Sequence, residues 1–346
     1  MSVPHVPKND RAVRETLHAW RRLTSGRRGS GTLVALSGGA DSTALSLILA
    51  RLAPKSRIVL GHVMHDMRSP DVALADRDAC RALAEHLELA FVEGAVHVRE
   101  QPGNLEANAR RERYRALAGL AQRLDLPYIA TAHHAGDQLE SVLMGLMRGA
   151  GPGGLRGVRA KRPIGLAASR LSLIRPMLGL PATESRRICV LAGVQWQEDL
   201  TNQDTRRLRA ALRAEIVPRL LALRPGCDQR IAHTARLCGE ADDLVTTEAA
   251  RLLSDVTVAA PRPGTMLLHR PPLHDKPPLV VARLLTLAYS RVVGLHKQDQ
   301  IRARSLAEAV RVIQDEHLDP RELAIARMRI RVRAREFELA CEEGRT

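Results

Sequence analysis

Apolar positions along the first half of the chain follow two alternating rhythms. Short, mostly apolar runs fall at 33–36, 58–63, 89–92, 128–132 and 172–174. Between them stand longer stretches that are apolar every three to four residues: from the turn after residue 36 to about 52, then 71–87, 105–124, 138–147, 181–192 and 204–223. The short runs read as buried strands and the longer stretches as amphipathic helices. A further basic helix opens the chain at 10–23, with Asp10 as its cap and Val13, Leu17 and Trp20 on one face.

Strands that alternate with helices predict an α/β fold: a Rossmann-like parallel sheet covered by helices on both faces. Ligands of such sheets bind beyond the carboxyl ends of the strands, at the point where strand order reverses. The pattern changes at Gly149-Ala150-Gly151-Pro152-Gly153-Gly154, followed by a basic, irregular stretch at 156–170 that suits a mobile loop. Arg224-Pro225-Gly226 is a turn and the expected domain boundary, giving domains of 1–224 and 225–346. The second is expected to be smaller and mainly helical, with helices at 229–253, 278–293 and 299–314 and a terminal hairpin within 322–340.

The first strand runs into Ser37-Gly38-Gly39-Ala40-Asp41-Ser42, after which a helix begins. A glycine turn at a helix N-terminus aims backbone N–H groups and the positive end of the helix dipole at one point. Gly38 and Gly39 let a phosphate approach the backbone, Ala40 continues the turn, and Ser37 and Ser42 add hydroxyls. Asp41 repels phosphate, so it suits a magnesium ion that phosphates also touch. No Gly-Lys-Ser/Thr follows, which excludes a Walker loop. The loop resembles that of the ATP pyrophosphatases (PP-loop superfamily), and ATP with Mg2+ is the ligand this resemblance implies.

Composition narrows the partners. Lys and Arg number 53 against 38 Asp and Glu, a formal charge of +15, with runs such as Arg21-Arg22, Arg27-Arg28 and Arg206-Arg207-Leu208-Arg209. That excess favours a polyanion such as RNA. Aromatic residues make up only 2%, which argues against base stacking as the main mode of binding. The five cysteines are scattered without a Cys-x-x-Cys, which excludes a disulfide framework and a local zinc or iron–sulfur motif. No apolar run is long enough to span a bilayer, so a cytoplasmic protein with no membrane partner is expected.

A second dense segment, Ala132-His133-His134-Ala135-Gly136-Asp137-Gln138-Leu139-Glu140-Ser141, follows another buried strand. Asp137 and Glu140 are three apart and share a helix face. A carboxylate here can complete a magnesium site with Asp41, and a histidine at a strand end can donate to a phosphate oxygen. A plain helix cap with a capping box would use the same spacing.

In order along the chain, these segments resemble the bacterial tRNA(Ile)-lysidine synthetases. The resemblance rests on the Ser37–Ser42 loop; Gly61-His62-Val63-Met64-His65 with Arg68; Asn104 to Arg110 with Arg113-Tyr114; His133-His134 through Glu140-Ser141; Arg148-Gly149 and the glycines beyond; Arg175-Pro176; and Trp196 to Asn202 with Arg209, Arg213 and Pro218. Three positions depart from the family pattern: Gly136 stands where Asp is common, Ala210 where Asn is usual, and Leu200-Thr201 where Pro-Ser is usual. The chain also looks too short for the extra C-terminal domain of some members.

The resemblance implies a reaction on cytidine 34 of the isoleucine tRNA with a CAU anticodon. ATP adenylates the base and releases pyrophosphate; free L-lysine then attacks C2 and expels AMP. The codon read changes from AUG to AUA. It implies Asp41 and Asp137 as metal ligands, His133 as donor to the α-phosphate, and Glu140 as the carboxylate that receives the lysine amine. Arg113 and Arg209 become nucleotide contacts, with Arg110, Arg213, His65 and Arg68 as RNA or substrate contacts. Asp199 and Asn202 are expected to shape a loop, and Trp196 to sit in the core. The second half is expected to bind tRNA. Nothing in the residues fixes an oligomeric state, a dimer included.

Two rival readings differ in chemistry. A tRNA thiolation enzyme needs a cysteine or a cluster at the site, and none of the cysteines flanks a motif. A non-catalytic tRNA-binding relative would keep the loop and lose turnover, a reading to which Gly136 and Ala210 lend some weight.

Overall fold

A computed structural model describes residues 6–24, 31–52, 57–67, 69–164, 170–197, 208–259, 262, 264–294, 301–317 and 320–342. The chain divides into two compact units, 1–238 and 239–346.

The first unit opens with helix α1 (Arg11–Leu23), capped as expected by Asp10, whose carboxylate accepts from the Ala12 and Val13 amides. Then follow β1 (Thr32–Ala35), α2 (Ala40–Leu49), β2 (Ile58–His65), α3 (Pro70–His86), β3 (Ala90–Val96), α4 (Leu105–Arg123), β4 (Tyr128–Ala130), α5 (Ala135–Met147), the short α6 (Pro152–Leu155), β5 (Lys161–Pro163), β6 (Ser172–Ile174) and α7 (Ala182–Leu191). After α8 (Leu208–Ala211) the helix widens into a π segment at Leu212–Ile216 and continues as α9 (Val217–Leu223). The long α10 (Cys227–Val256) carries the chain from one unit into the next.

The sheet order is β3-β2-β1-β4-β6-β5. Every pairing is parallel except the edge pair β5–β6. The mostly apolar runs have a simple cause. In β1, Leu33 packs into one core with Val59, Leu117, Ile129 and Leu173, while Val34 packs into another with Leu45, Ile48, Leu60 and Ile188. Both faces are covered, so neither half of the period-two alternation can be polar. The strands must also approach closely: a Cβ on Gly61 would lie 2.9 Å from the Leu33 side chain. Trp20 belongs to the core, its indole N–H donating to Thr32 Oγ1 at 3.1 Å.

The basic stretch expected to be irregular contains β5, three residues long and so without a readable period. Strand order reverses at β1: β2 and β3 lie on one side and β4, β6 and β5 on the other. The turns that leave β1 and β4 therefore open side by side.

The second unit contains the end of α10, β7 (Thr257–Ala259), β8 (Thr265–His269), α11 (Pro278–Val292), α12 (Ala303–Gln314), β9 (Arg321–Ile325), β10 (Met328–Val332) and β11 (Glu336–Cys341). The expected terminal hairpin is β10–β11. It belongs to a five-stranded antiparallel sheet, β7-β8-β11-β10-β9, so this unit combines helices with a full sheet rather than being the expected mainly helical domain with one hairpin. Leu268, Val281, Leu285, Tyr289, Ile313, Ile330 and Phe337 form its core. Arg270 is completely buried there. Its guanidinium donates to the carbonyls of Val312, Ile313, Asp315 and Arg333, answering the open carbonyls at the end of α12. Among the described residues no helix is long and apolar enough to cross a membrane.

Candidate functional site

The loop after β1 is closed by its own hydroxyls. Ser42 Oγ donates to the Gly39 carbonyl at 3.0 Å and accepts from the Ser37 amide at 3.1 Å, and the two serine hydroxyls lie 3.1 Å apart. Gly38 has a φ of +89°, a conformation that a side chain would strain. Its carbonyl accepts from the Gln197 amide at 2.9 Å, which seats residues 196–197 against the loop. Gly39 is the N-cap of α2 and has no side chain, so the first-turn amides of Ala40, Asp41 and Ser42 receive no side-chain cap from it.

The turn after β4 is built around His134. Its amide donates to Asp137 Oδ2 at 3.0 Å, and its Nδ1 accepts from the Gly136 amide at 3.1 Å. This is the capping box, with a histidine as the cap. Position 136 bears on it directly, because a Cβ there would come within 2.9 Å of the His134 ring. With Nδ1 accepting, the His134 proton sits on Nε2, 3.7 Å from Asp41 Oδ2 and 3.8 Å from Asp137 Oδ2. The two segments thus meet at this ring.

Between them lies an open cleft of about 320 Å³. Ser37, Gly39, Asp41 and Ser42 line one side, and His133 and Asp137 another. His65, Arg110 and Arg113 complete the wall from β2 and α4. The sequence-predicted residues Glu140, Arg209 and Arg213 do not line it. They form a separate cluster with Asp137. Glu140, with a side chain 3% exposed, accepts from Arg209 Nε at 2.7 Å and from Arg213 Nε at 2.6 Å. Arg209 also reaches Asp137 Oδ1 at 3.1 Å. The shared face of Asp137 and Glu140 and the one-turn spacing of Arg209 and Arg213 are both present, and each pair is the other's partner. Arg68, Asp199 and Asn202, with residues 198–207 as a whole, lie outside the described residues, as does the side chain of Glu106.

Burial sets the protonation of the site. It pushes His133 down to about 3, and the nearby Arg175, Arg110 and Arg209 act in the same direction against Asp137. His133 is therefore neutral at pH 7. His62 is also lowered by burial; its Nδ1–H donates to the Leu36 carbonyl at 2.9 Å. For Asp137, burial raises the carboxyl, but His134, His133 and Arg209 outweigh it and hold the group below its usual range. Asp137 is ionised.

Asp41 and Asp137 suit a hard cation. They come from facing segments and line one cleft. Among the described residues no three His, Cys, Asp or Glu side chains gather into a metal cage. Burial pushes Cys80 and Cys189, the thiols nearest the loop, up to about 12, which makes both poor nucleophiles.

Among the wall residues, His62 and Asp76 had no assigned role in the sequence; nor did Arg175, which stands behind His133. His62 belongs to the Gly61–His65 motif without a role of its own; it lies within β2, with its ring against the Leu36 carbonyl. Arg175 follows a strand and forms a motif with Pro176, but nothing local to it points to His133.

Fold, loop and cleft define an α/β protein of the PP-loop class, and residues 10–220 match the model of the PP-loop domain. A tRNA(Ile)-lysidine synthase of Salinispora arenicola is 38% identical over 258 residues, covering 74% of this chain and 72% of that protein. Its counterpart in Salinispora tropica is 38% identical over 226 residues, covering 65% and 67%. Among solved structures, the U34-tRNA thiolase NcsA from Methanococcus maripaludis aligns with a TM-score of 0.49 and 18% identity over 66% of this chain and 79% of that one. The chain belongs to the tRNA(Ile)-lysidine synthase family.

Proposed function

We propose that this protein uses ATP to join free L-lysine to C2 of cytidine 34 in the CAU anticodon of an isoleucine tRNA, giving lysidine. The observation that carries the reading is the shared cleft: the glycine loop after β1 and the histidine turn after β4 open onto one space, beside a cationic wall from α4. Family membership supplies the substrate class.

The amides that open α2 receive the pyrophosphate end of ATP, at the positive end of the helix dipole. Asp41 and Asp137 hold Mg2+, which supplies charge neutralisation on the phosphates. His133, neutral, donates to the α-phosphate as charge grows there during attack by the base oxygen. Arg113 takes a nucleotide phosphate and Arg110 the RNA backbone, both standing on the cleft wall. The lysine amine must lose its proton to attack C2. Glu140 receives it by exchanging one of its two arginines; Arg213, with a side chain 46% exposed, is the one free to swing out. Arg209 then keeps its contact with Asp137. The second unit, nearly neutral in net charge, contributes further tRNA contacts.

The test is incubation with ATP, magnesium, radiolabelled lysine and the CAU isoleucine tRNA. The expected result is lysine incorporation matched by AMP and pyrophosphate release. Tight tRNA binding without incorporation overturns the reading in favour of a binding protein, and sulfur transfer to the tRNA overturns it in favour of a thiolase.

A further inference from the structure

Arg175 follows β6, on the strand next to β4, and is only 3% exposed. Its Nη1 donates to the Arg159 carbonyl at 2.5 Å. Its Nε lies 3.3 Å from His133 Nδ1 and donates to it. The Tyr114 hydroxyl meets the same guanidinium. The second neighbour of His133 Nδ1 is Thr131 Oγ1, at 3.0 Å.

These two neighbours are chemically unequal. A hydroxyl rotates and either donates or accepts, so Thr131 alone is compatible with both tautomers of His133. A guanidinium never loses its proton in a protein, and every one of its N–H groups only donates. A nitrogen that faces it must accept. A neutral imidazole that accepts at Nδ1 carries its proton on Nε2.

We propose that Arg175 is a positioning residue that locks His133 in the Nε2–H tautomer, so that the histidine offers the cleft a hydrogen-bond donor and never a lone pair. The inference deepens the phosphate role given to His133 and rests on it for its catalytic consequence; the tautomer itself does not. A lone pair turned toward a phosphoryl oxygen would repel it, so a mixed tautomer leaves part of the enzyme unable to stabilise the growing charge. The burial of Arg175 serves the same end, because a guanidinium held by the Arg159 carbonyl cannot swing away from the ring.

The direct test reads the tautomer in the full-length protein without substrates, by ¹⁵N-histidine NMR with His133 assigned by substitution. The wild type should show a protonated Nε2 and an accepting Nδ1. Arg175→Met, which cannot donate, should show a mixture, and Arg175→Lys, a permanent donor, should restore the single tautomer. Lysidine formation gives the second readout. Arg175→Met should lower kcat about 10- to 100-fold with the KM for lysine unchanged, and Arg175→Lys should recover most of it. In a His133→Gln background, where an amide N–H replaces Nε2–H, Arg175→Met should cost almost nothing further. An Nδ1–H tautomer in the wild type overturns the proposal, and that spectrum needs no variant to fold. Undiminished loss in the His133→Gln background overturns it in favour of a merely structural arginine. Absence of lysidine formation with the expected spectra refutes the assigned reaction and leaves the tautomer lock intact.

Discussion

His134 Nε2 lies 3.7 Å from Asp41 Oδ2, and this approach joins the loop after β1 to the turn after β4. The ring also stands 3.8 Å from Asp137, so one histidine separates the two carboxylates that the sequence paired across the site.

The two carboxylates differ in what else they support. Asp41 has a side chain 46% exposed, whereas Asp137 also caps α5 and pairs with Arg209. Asp41→Asn should leave the free energy of unfolding within about 0.5 kcal/mol of wild type while lowering lysidine formation at least about 100-fold. Asp137→Asn should lose both activity and stability, by about 1 kcal/mol for the weakened cap and ion pair. Denaturant titration beside the incorporation assay separates them.

Glu140 holds two guanidinium groups at once. Glu140→Ala leaves both without their main partner and should destabilise the first unit by about 2 kcal/mol, less than a fully buried pair because both arginines are partly exposed. A double-mutant cycle with Arg213→Ala should show a coupling of about 1 kcal/mol in urea titrations; additive losses would mean the contact contributes nothing.

Much of this site was legible along the chain. The glycine loop, the histidine turn and the shared face of Asp137 and Glu140 are local features, set by spacing of a few residues. The pairing of that face with Arg209 and Arg213 crosses about seventy positions, and no local spacing reveals it. The strands β5 and β7 have three residues each, too few for an alternation to appear. Arg175 was visible only as half of the Arg175-Pro176 pair; its burial and its contact with His133, forty-two positions away, are set by the tertiary fold and leave no local signal.

Stability should depend on pH through the buried histidines. His133 titrates near 6.5 when unfolded and at about 3 when folded. Below pH 6.5 the unfolded chain takes up a proton there that the folded chain refuses, so stability falls as pH drops from about 6.5 toward 3 and is indifferent to this group above that range. His62 is lowered by burial too and acts in the same direction. The wild type should therefore lose more stability between pH 7 and pH 5 than His133→Gln does, measured by urea titration at both values. Equal losses would place His133 in contact with water.

Arg270 ties the end of α12 to the turn after β10. Arg270→Met keeps the apolar stem and leaves those carbonyls without their donor, which should destabilise the second unit by about 3 kcal/mol. Limited proteolysis should then cut within 239–346 while a fragment near 1–238 survives. Unchanged resistance would show that water satisfies the helix end.

The most direct test of the shared cleft is a crystal structure with magnesium and a non-hydrolysable ATP analogue. The account requires the pyrophosphate end against the amides that open α2, the α-phosphate within hydrogen-bond reach of His133 Nε2, and the metal between Asp41 and Asp137. A nucleotide that binds elsewhere, or one that touches the β1 loop with His133 turned away from its phosphates, would contradict it.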